Sequence, residues 1–290
     1  MKKYLIFVIV LTLIFSVGFV VFAAKPNFQN KKVSIPDKAL KVAPDVFYLG
    51  SVWREGKLVE GYAFIDYKKG FGKPGTECGN GICEPGENIN KCPQDCGGEE
   101  PEPDNSSCYG FLNKFTKWKT AEPWVLNPSN SRGLAEDFIF SNFSTNIEKW
   151  ESAANFNIVG QGIVTSDELI ADLSSPDGQN EVYFADIDSA GAIGVTIIWG
   201  IFNVPPKERA LIEWDQIYDD VDFDWSATGE AGKMDFENIA THELGHTVGL
   251  DDLYTAECSE QTMYGYADYG ETKKRSLEAG DIKGIQELYK

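Results

Sequence analysis

Apolar residues recur with helical spacing in three parts of the C-terminal half of the chain. In the stretch LAEDFIFSNFSTNIEKWESAANF, five of them follow one another at steps of three and four, namely Phe140, Phe143, Ile147, Trp150 and Ala154. This spacing predicts an amphipathic helix whose apolar face packs on a core. A second helix is expected to begin near Asp235, a suitable N-cap before FENIATHELGHTV. A third is expected in DIKGIQELY, with Ile282 and Ile285 among its buried residues.

Short runs of β-branched and aromatic residues predict strands between the first two helices: NEVYFADI, GAIGVTIIWG and ALIEWDQIYDD. Helices and strands together indicate an α+β domain over residues 108–290. Near the N-terminus, two further β-rich runs over residues 46–53 and 58–67 flank a turn with Glu55 and Gly56, which predicts a hairpin. A lone hairpin is only marginally stable, so this one must pack on another part of the chain or belong to a pro-segment.

The first 24 residues have the composition of an export signal. Two lysines precede an almost uninterrupted apolar run over residues 4–22, and the small residues Ala23 and Ala24 follow it. The run is also just long enough to span a bilayer, so residues 1–24 are either a cleaved signal peptide or a membrane anchor. In both cases we expect the rest of the chain outside the cytoplasm, secreted or tethered to the outer face of the membrane.

The chain is strongly acidic, with 45 Asp and Glu against 26 Lys and Arg and a net charge of −19. Such a field repels phosphate backbones, so nucleic acid is excluded as a partner. The acidity serves solubility, or some of the carboxylates bind structural Ca²⁺. Nothing in the composition predicts the oligomeric state.

Polar composition and cysteines divide the region before the α+β domain. Residues 25–77 are interpreted as a leader with the hairpin, a candidate activation pro-segment, and residues 97–107 as a linker. Residues 78–96 contain four cysteines and almost no apolar side chains, so two disulfides are expected to hold this module. A four-cysteine zinc site is the alternative, but the spacing lacks paired C-x2-C knuckles. The module resembles small calcium-assisted repeats of extracellular proteins, such as the Notch-type repeat.

Two further cysteines, Cys108 and Cys258, belong to the C-terminal domain. In an oxidising compartment they are expected to form a disulfide between the start of the domain and a loop that follows the second helix. The alternative is that the Cys108 thiolate is a latch on a metal ion.

The stretch IATHELGHTVGLDDLY, residues 239–254, contains the only two histidines of the chain. On a helix, His242 and His246 lie one turn apart on the same face, so both imidazoles can bind one ion. Glu243 is rotated by about 100° from His242 and can reach a water on that ion. Neutral imidazoles favour zinc, and a catalytic zinc site has three protein ligands and one open position.

A third ligand requires the chain to turn back after the helix. On a continuous helix, Asp252 would lie about 15 Å along the axis from His242, whereas a zinc–oxygen bond is about 2 Å long. Gly249 can adopt a left-handed conformation and end the helix. Leu250 can then enter the core, and either Asp251 or Asp252 can approach the metal.

The pattern H-E-x-x-H-x-x-G-x-x-D from His242 to Asp252, followed by Met263 in EQTMYGY, resembles the metzincin zinc endopeptidases. The flanking sequences IEWDQIYDDVDFDWS and AGDIKGIQELY are similar to the matrixin branch. Over residues 108–290, the resemblance implies a twisted, mainly parallel sheet, an active-site helix and a small C-terminal subdomain. It also implies an edge strand that pairs with extended peptide substrate, and GAIGVTIIWG is the candidate strand, with a plain core strand as the alternative.

The resemblance assigns roles to individual residues. It implies that His242, His246 and Asp252 are zinc ligands, Glu243 the general base, Gly249 the turn, and Met263 the methionine beneath the metal. Three differences from the usual pattern stand out. The third ligand is Asp where most relatives have His, no histidine is left for a second zinc, and the matrixins' proline-arginine-cysteine-glycine latch is missing.

These observations predict a secreted or surface-anchored zinc metalloendopeptidase that acts on protein or peptide substrates. The alternatives are a catalytically inactive extracellular binding or adhesion module with calcium-stabilised segments, and a zinc hydrolase that acts on something other than protein. The intact Glu243 argues against the inactive module.

Overall fold

The computed structural model describes residues 32–71 and 107–290. The segment 1–24, the cysteine-rich module 78–96 and most of the linker lie outside the described residues. The α-helices within the described ranges are α1 (Glu136–Ala154), α2 (Phe236–Thr247) and α3 (Ala279–Tyr289). The strands are β1 (Lys32–Val33), β2 (Leu40–Ala43), β3 (Val46–Arg54), β4 (Lys57–Lys68), β5 (Gly110–Phe111), β6 (Glu122–Leu126), β7 (Val159–Val164), β8 (Asn180–Ile187), β9 (Ala192–Ile201), β10 (Ala210–Asp219), β11 (Trp225–Ser226), β12 (Met234–Asp235), β13 (Leu250–Asp251) and β14 (Tyr266–Ala267).

The central sheet has the strand order β2-β3-β4-β9-β10-β8-β6-β7, with β1 paired to β8 and β14 paired to β4. The pairs β7–β6, β6–β8 and β8–β10 are parallel, whereas those from β10 through β9, β4 and β3 to β2 are antiparallel. The α+β class is confirmed, but the sheet is mixed. Within residues 108–290, for which a mainly parallel sheet is predicted, three of the four pairs along this path are parallel and β9–β10 is antiparallel. The N-terminal hairpin adds further antiparallel pairs, which the prediction did not include.

Strand β9 lies inside the sheet. It pairs with β10 on one side and with β4 on the other, and all ten of its residues are buried. The prediction that GAIGVTIIWG is an exposed edge for substrate is therefore wrong for this conformation. The pairing could not be seen in the sequence, because Glu60 and Gly200 are partners although they lie far apart in the chain.

The predicted hairpin is present as β3 and β4. Glu55 and Gly56 at its turn have φ values of 49° and 77°, and the type I′ hairpin turn requires positive φ at both central positions. The hairpin packs on another part of the chain, namely β9, so residues 32–71 extend the same sheet as the C-terminal domain.

Two hydrophobic cores lie on the two faces of this sheet. One contains apolar residues of α1, α2 and α3, among them Trp150 and Phe236, and the other contains Ile65, Ile197 and Trp199 on the opposite face. The aromatic stripe of α1 is confirmed as core, although Phe140 is only half-buried. Ile282 on α3 is exposed and not buried as predicted, because α3 turns Ile285 and Leu288 towards the core instead. None of the described helices is long and apolar enough to cross a membrane.

Candidate active site and metal centre

Helix α2 carries both histidines and is fixed at its start by the predicted cap. The Asp235 side chain accepts a hydrogen bond from the Asn238 amide at 3.0 Å, which satisfies one of the free N–H groups of the first turn. The helix is also held by Trp150, whose Nε1 donates to the Thr241 carbonyl at 2.9 Å. His242 is 0% exposed and His246 1%, so the helix presents both rings to the protein interior.

The chain turns back directly after α2, as the sequence predicts. Gly249 has a φ of 104°, in the left-handed region that favours glycine, and Leu250 is fully buried. Asp251 then pairs with Gly110 in a short two-stranded sheet. The next residue, Asp252, brings its carboxylate to the two histidines. Of the two aspartates left open by the sequence, the geometry therefore favours Asp252.

Three potential ligand atoms converge at this turn. Asp252 Oδ1 lies 3.4 Å from His242 Nε2 and 3.5 Å from His246 Nε2. Ligand atoms at about 2.0–2.1 Å from a tetrahedral zinc lie about 3.3 Å apart. The observed spacing fits one zinc ion between the three side chains.

The hydrogen bonds of the two rings select the tautomer that zinc needs. Nδ1 of His242 lies 2.7 Å from the carbonyl oxygen of Thr262, and Nδ1 of His246 lies 3.1 Å from that of Leu250. A carbonyl only accepts, so each Nδ1 carries a proton, and in the neutral form of each ring Nε2 has the lone pair. Both Nε2 atoms and Asp252 Oδ1 are buried without a hydrogen-bond partner among the described residues, and a bound cation would satisfy all three.

Glu243 lies beside these atoms and is held by β9. Its Oε2 accepts a hydrogen bond of 2.5 Å from Thr196 Oγ1, while Oε1 has no partner among the described residues. Gly194 makes room for the carboxylate, because a Cβ there would come within 2.6 Å of Glu243 Oε1.

Met263, for which the resemblance implies a position beneath the metal, packs on helix α2. It is 1% exposed, and its sulfur packs so closely on Gly245 that a Cβ at that glycine would come within 2.0 Å of it. Asp281 of α3 fixes this loop by accepting hydrogen bonds from the amides of Thr262 at 2.8 Å and Met263 at 3.1 Å. The sequence did not single out Asp281, because an acidic residue in the first turn of a helix is ordinary.

Charges in this cluster perturb one another strongly. Burial raises the pKa of Glu243 to about 8. Burial also opposes the charged forms of Asp252 and His246, but their attraction outweighs it, lowering the pKa of Asp252 and raising that of His246 to about 9. Since His246 must be neutral to bind a metal, zinc would compete with this proton.

One residue that the sequence analysis missed also reaches the cluster. Asp66 of β4 brings a carboxylate oxygen within 4.8 Å of ligand atoms of His242 and Glu243. The signal was present in YAFIDY, because aspartate is rare in strands and this one stands between Ile65 and Tyr67.

The described residues also contain a disulfide and a second group of carboxylates, distinct from the histidine cluster. Cys108 and Cys258 form a disulfide, which confirms the predicted pairing and removes the alternative of a Cys108 latch. Carboxylate oxygens of Asp172, Asp177 and Glu213 lie within 4.8 Å of one another, and Glu213 accepts hydrogen bonds from the amides of Asp177 and Gly178. Calcium binding stays a prediction.

Comparison with known proteins agrees with this geometry. Residues 203–290 match the peptidase M10 family model, described as matrixin, and no curated protein matches the chain. The matched segment includes β10, α2, the turn at Gly249 and Met263. Over these residues the chain is similar to the metzincin class of metallopeptidases. Within that class the similarity is to the matrixins.

Proposed function

We propose that this protein is a secreted or surface-tethered zinc metalloendopeptidase, with His242, His246 and Asp252 as the zinc ligands and Glu243 as the general base. The observation that carries the proposal is the spacing of 3.4 and 3.5 Å between Asp252 Oδ1 and the two Nε2 atoms, beside the Glu243 carboxylate. The matrixin match over residues 203–290 supports peptide bonds as the substrate.

The chemistry follows from the positions of these side chains. A zinc ion held there would supply a water with a pKa of about 7 and would polarise the scissile carbonyl. Glu243 would accept the proton from that water through Oε1 and return it to the leaving amine. Thr196 holds the other oxygen, Oε2, so the carboxylate is oriented before substrate arrives.

The location outside the cytoplasm is supported by two features of the chain. The apolar run over residues 4–22 has the composition of an export signal. The disulfide between Cys108 and Cys258 is of a kind that forms in oxidising compartments.

The experiment is to compare Glu243→Gln with the wild type in zinc content and in cleavage of a peptide mixture. Glu243 is 0% exposed, so a peptide cannot reach it in the described conformation. Each protein is therefore assayed both intact and after limited proteolysis that can open the site. We expect full zinc content and a loss of about 10²–10⁴-fold in kcat/KM, the usual contribution of a general base.

Glu237→Gln is the matched control, because this glutamate lies on the same helix but pairs with Lys149. It should cleave peptides like the wild type. Equal cleavage by Glu243→Gln and the wild type would remove the assigned base. If the wild type binds no zinc and cleaves no peptide either before or after limited proteolysis, the result would support the inactive binding module instead.

A further inference from the structure

We propose that strand β4 is an internal inhibitor that occupies the substrate cleft, with the Asp66 carboxylate as a fourth protein ligand of the zinc ion. Removal or displacement of the β3–β4 hairpin would open the active site. This inference rests on the function proposed above and adds its regulation.

The first argument is the position of β4 along β9. The two strands are antiparallel, and the register pairs Phe64 with Thr196 and Asp66 with Gly194. Thr196 and Gly194 are the two β9 residues that contact Glu243. Cross-strand partners project on the same face of a sheet, so Phe64 and Asp66 face the active site.

The side chains of β4 confirm this orientation. The Phe64 ring stacks on the His246 imidazole, with centroids 4.4 Å apart and an interplanar angle of 21°. Two residues further, Asp66 approaches His242 and Glu243. Strand β4 therefore contacts His246 with the ring of Phe64 and approaches His242 with the carboxylate of Asp66.

The second argument is the environment of Asp66. Its side chain is buried, with the residue 2% exposed, and neither carboxylate oxygen has a hydrogen-bond partner among the described residues. An uncompensated buried carboxylate is costly. Lys274, which is 0% exposed, acts on Asp66 through its positive charge, but its Nζ donates to the carbonyl of Tyr264.

A metal ion would also connect Asp66 to the three proposed ligands. One carboxylate oxygen of Asp66 lies within 4.8 Å of ligand atoms of His242 and Glu243, and His242 in turn belongs to the cluster with His246 and Asp252. One divalent ion bound in this cluster would give the Asp66 carboxylate the partner that both of its oxygens lack among the described residues.

The consequence for activity follows from coordination number. Zinc sites with four protein ligands are closed and structural, whereas catalytic sites keep one position for water. A carboxylate from Asp66 in that position would exclude the nucleophilic water. Strand β4 could then lie across the site without being cleaved, and the 0% exposure of His242 and Glu243 would keep other peptides out.

The attachment of the hairpin is suited to release. On the side away from β9, β4 pairs with β14 through Tyr67 and Lys68. The described disulfide joins Cys108 to Cys258, both of which follow the linker. If the four cysteines of residues 78–96 pair among themselves as predicted, one cut within residues 97–107 separates the hairpin from the domain covalently.

The first test measures metal release from the full chain. Zinc-loaded wild type and Asp66→Asn are mixed with a chelator, and loss of zinc is followed over time. Removing an outer-shell partner alone typically costs 10–100-fold in metal affinity, so loss of a ligand should speed zinc release by at least about tenfold. The Co²⁺-loaded variant should also bind acetohydroxamate with a change in visible absorption, whereas the intact wild type should not.

Glu60→Gln is the matched control. Glu60 is a buried carboxylate on the same strand, but it pairs with Asn203 at 2.7 Å and lies about 20 Å from Asp66 along the strand. It should release zinc like the wild type. Release from Asp66→Asn at the wild-type rate, with no hydroxamate binding, would overturn the assignment of Asp66.

The second test places a specific protease site within residues 97–107. After the cut and removal of the N-terminal part, we expect peptide cleavage to rise at least about 100-fold over the intact chain, and added N-terminal part to reduce it again. Equal activity before and after removal would overturn the inhibitory role of β4. This test also decides the matter if Asp66→Asn does not fold.

The two proposals fail in different ways. If the cut domain binds zinc through His242 and His246 but the intact chain is equally active, the enzyme stands and the inhibitor does not. If the cut domain neither binds zinc nor cleaves peptides, the proposed enzyme itself is wrong.

Discussion

The two sides of the metal site are built in different ways. On the C-terminal side, α2 and the loop after it are fastened by a disulfide, by the hydrogen bonds of Asp281 and by the packing of Met263 on Gly245. On the N-terminal side, β4 is held by backbone pairing, by the packing of Phe64 on His246 and by an ion pair of Lys68 with Asp268, while the Asp66 carboxylate has no hydrogen-bond partner among the described residues. We call the C-terminal side, which has a covalent link, the permanent side, and the N-terminal side, which is held by non-covalent contacts, is the side that we propose to be separable.

The largest expected effect comes from the third ligand on the permanent side. Asp252→Ala should weaken zinc binding by more than about 100-fold, because even outer-shell changes cost 10–100-fold. Zinc affinity is measured by competition with a chelator, in the intact and the cut protein. The loss should persist after β4 is removed, because Asp252 belongs to the domain that remains.

The control for that change is the neighbouring residue. Asp251→Ala removes a carboxylate of the same kind from a residue whose backbone pairs with Gly110, so zinc affinity should stay within about threefold of the wild type. If both alanine variants lost zinc equally, the geometry would not distinguish the two aspartates.

An intermediate effect is expected from the disulfide. Replacing Cys108 and Cys258 by serine removes a link over a sequence separation of 150 residues. We expect the free energy of unfolding to fall by about 2–4 kcal/mol, mainly because the unfolded chain gains freedom. Urea denaturation of the cut domain measures it, and reduction of the wild type should produce the same shift. An unchanged midpoint would show that the disulfide does not stabilise the permanent side.

The smallest effect is expected from Tyr254, which touches both sides. Its hydroxyl lies 3.2 Å from Asp252 Oδ2 and 3.1 Å from the carbonyl oxygen of Pro44. Tyr254→Phe should reduce stability by about 1 kcal/mol and zinc affinity by roughly tenfold. Thermal unfolding and chelator competition measure the two changes. A loss of stability without any change in zinc affinity would show that the Tyr254 hydroxyl acts through its contact with Pro44 and not through Asp252.

Local signals made much of the permanent side predictable. The cap at Asp235, the glycine at position 249 and the spacing of His242 and His246 each act within a few residues, and the structure has the helix and the turn as expected. The Glu55–Gly56 turn was predictable for the same reason, since positive φ is a local property.

Pairing between distant strands was not predictable. The contact of β4 with β9 joins residues more than a hundred positions apart, and apolar alternation fixes which face of a strand is buried but not which strand lies beside it. Asp66 therefore looked like one polar residue in a hairpin. Its proximity to Glu243 follows only from the register.

The pairing of β4 with β9 on one side and β14 on the other has a consequence for the processed protein. Withdrawal of β4 together with β3 would leave free amide and carbonyl groups along β9, and on the opposite side only at the two residues of β14. An extended chain could form main-chain hydrogen bonds along β9, whatever its side chains, whereas proline would interrupt them. Cleavage should accordingly favour unfolded or extended segments over helical ones.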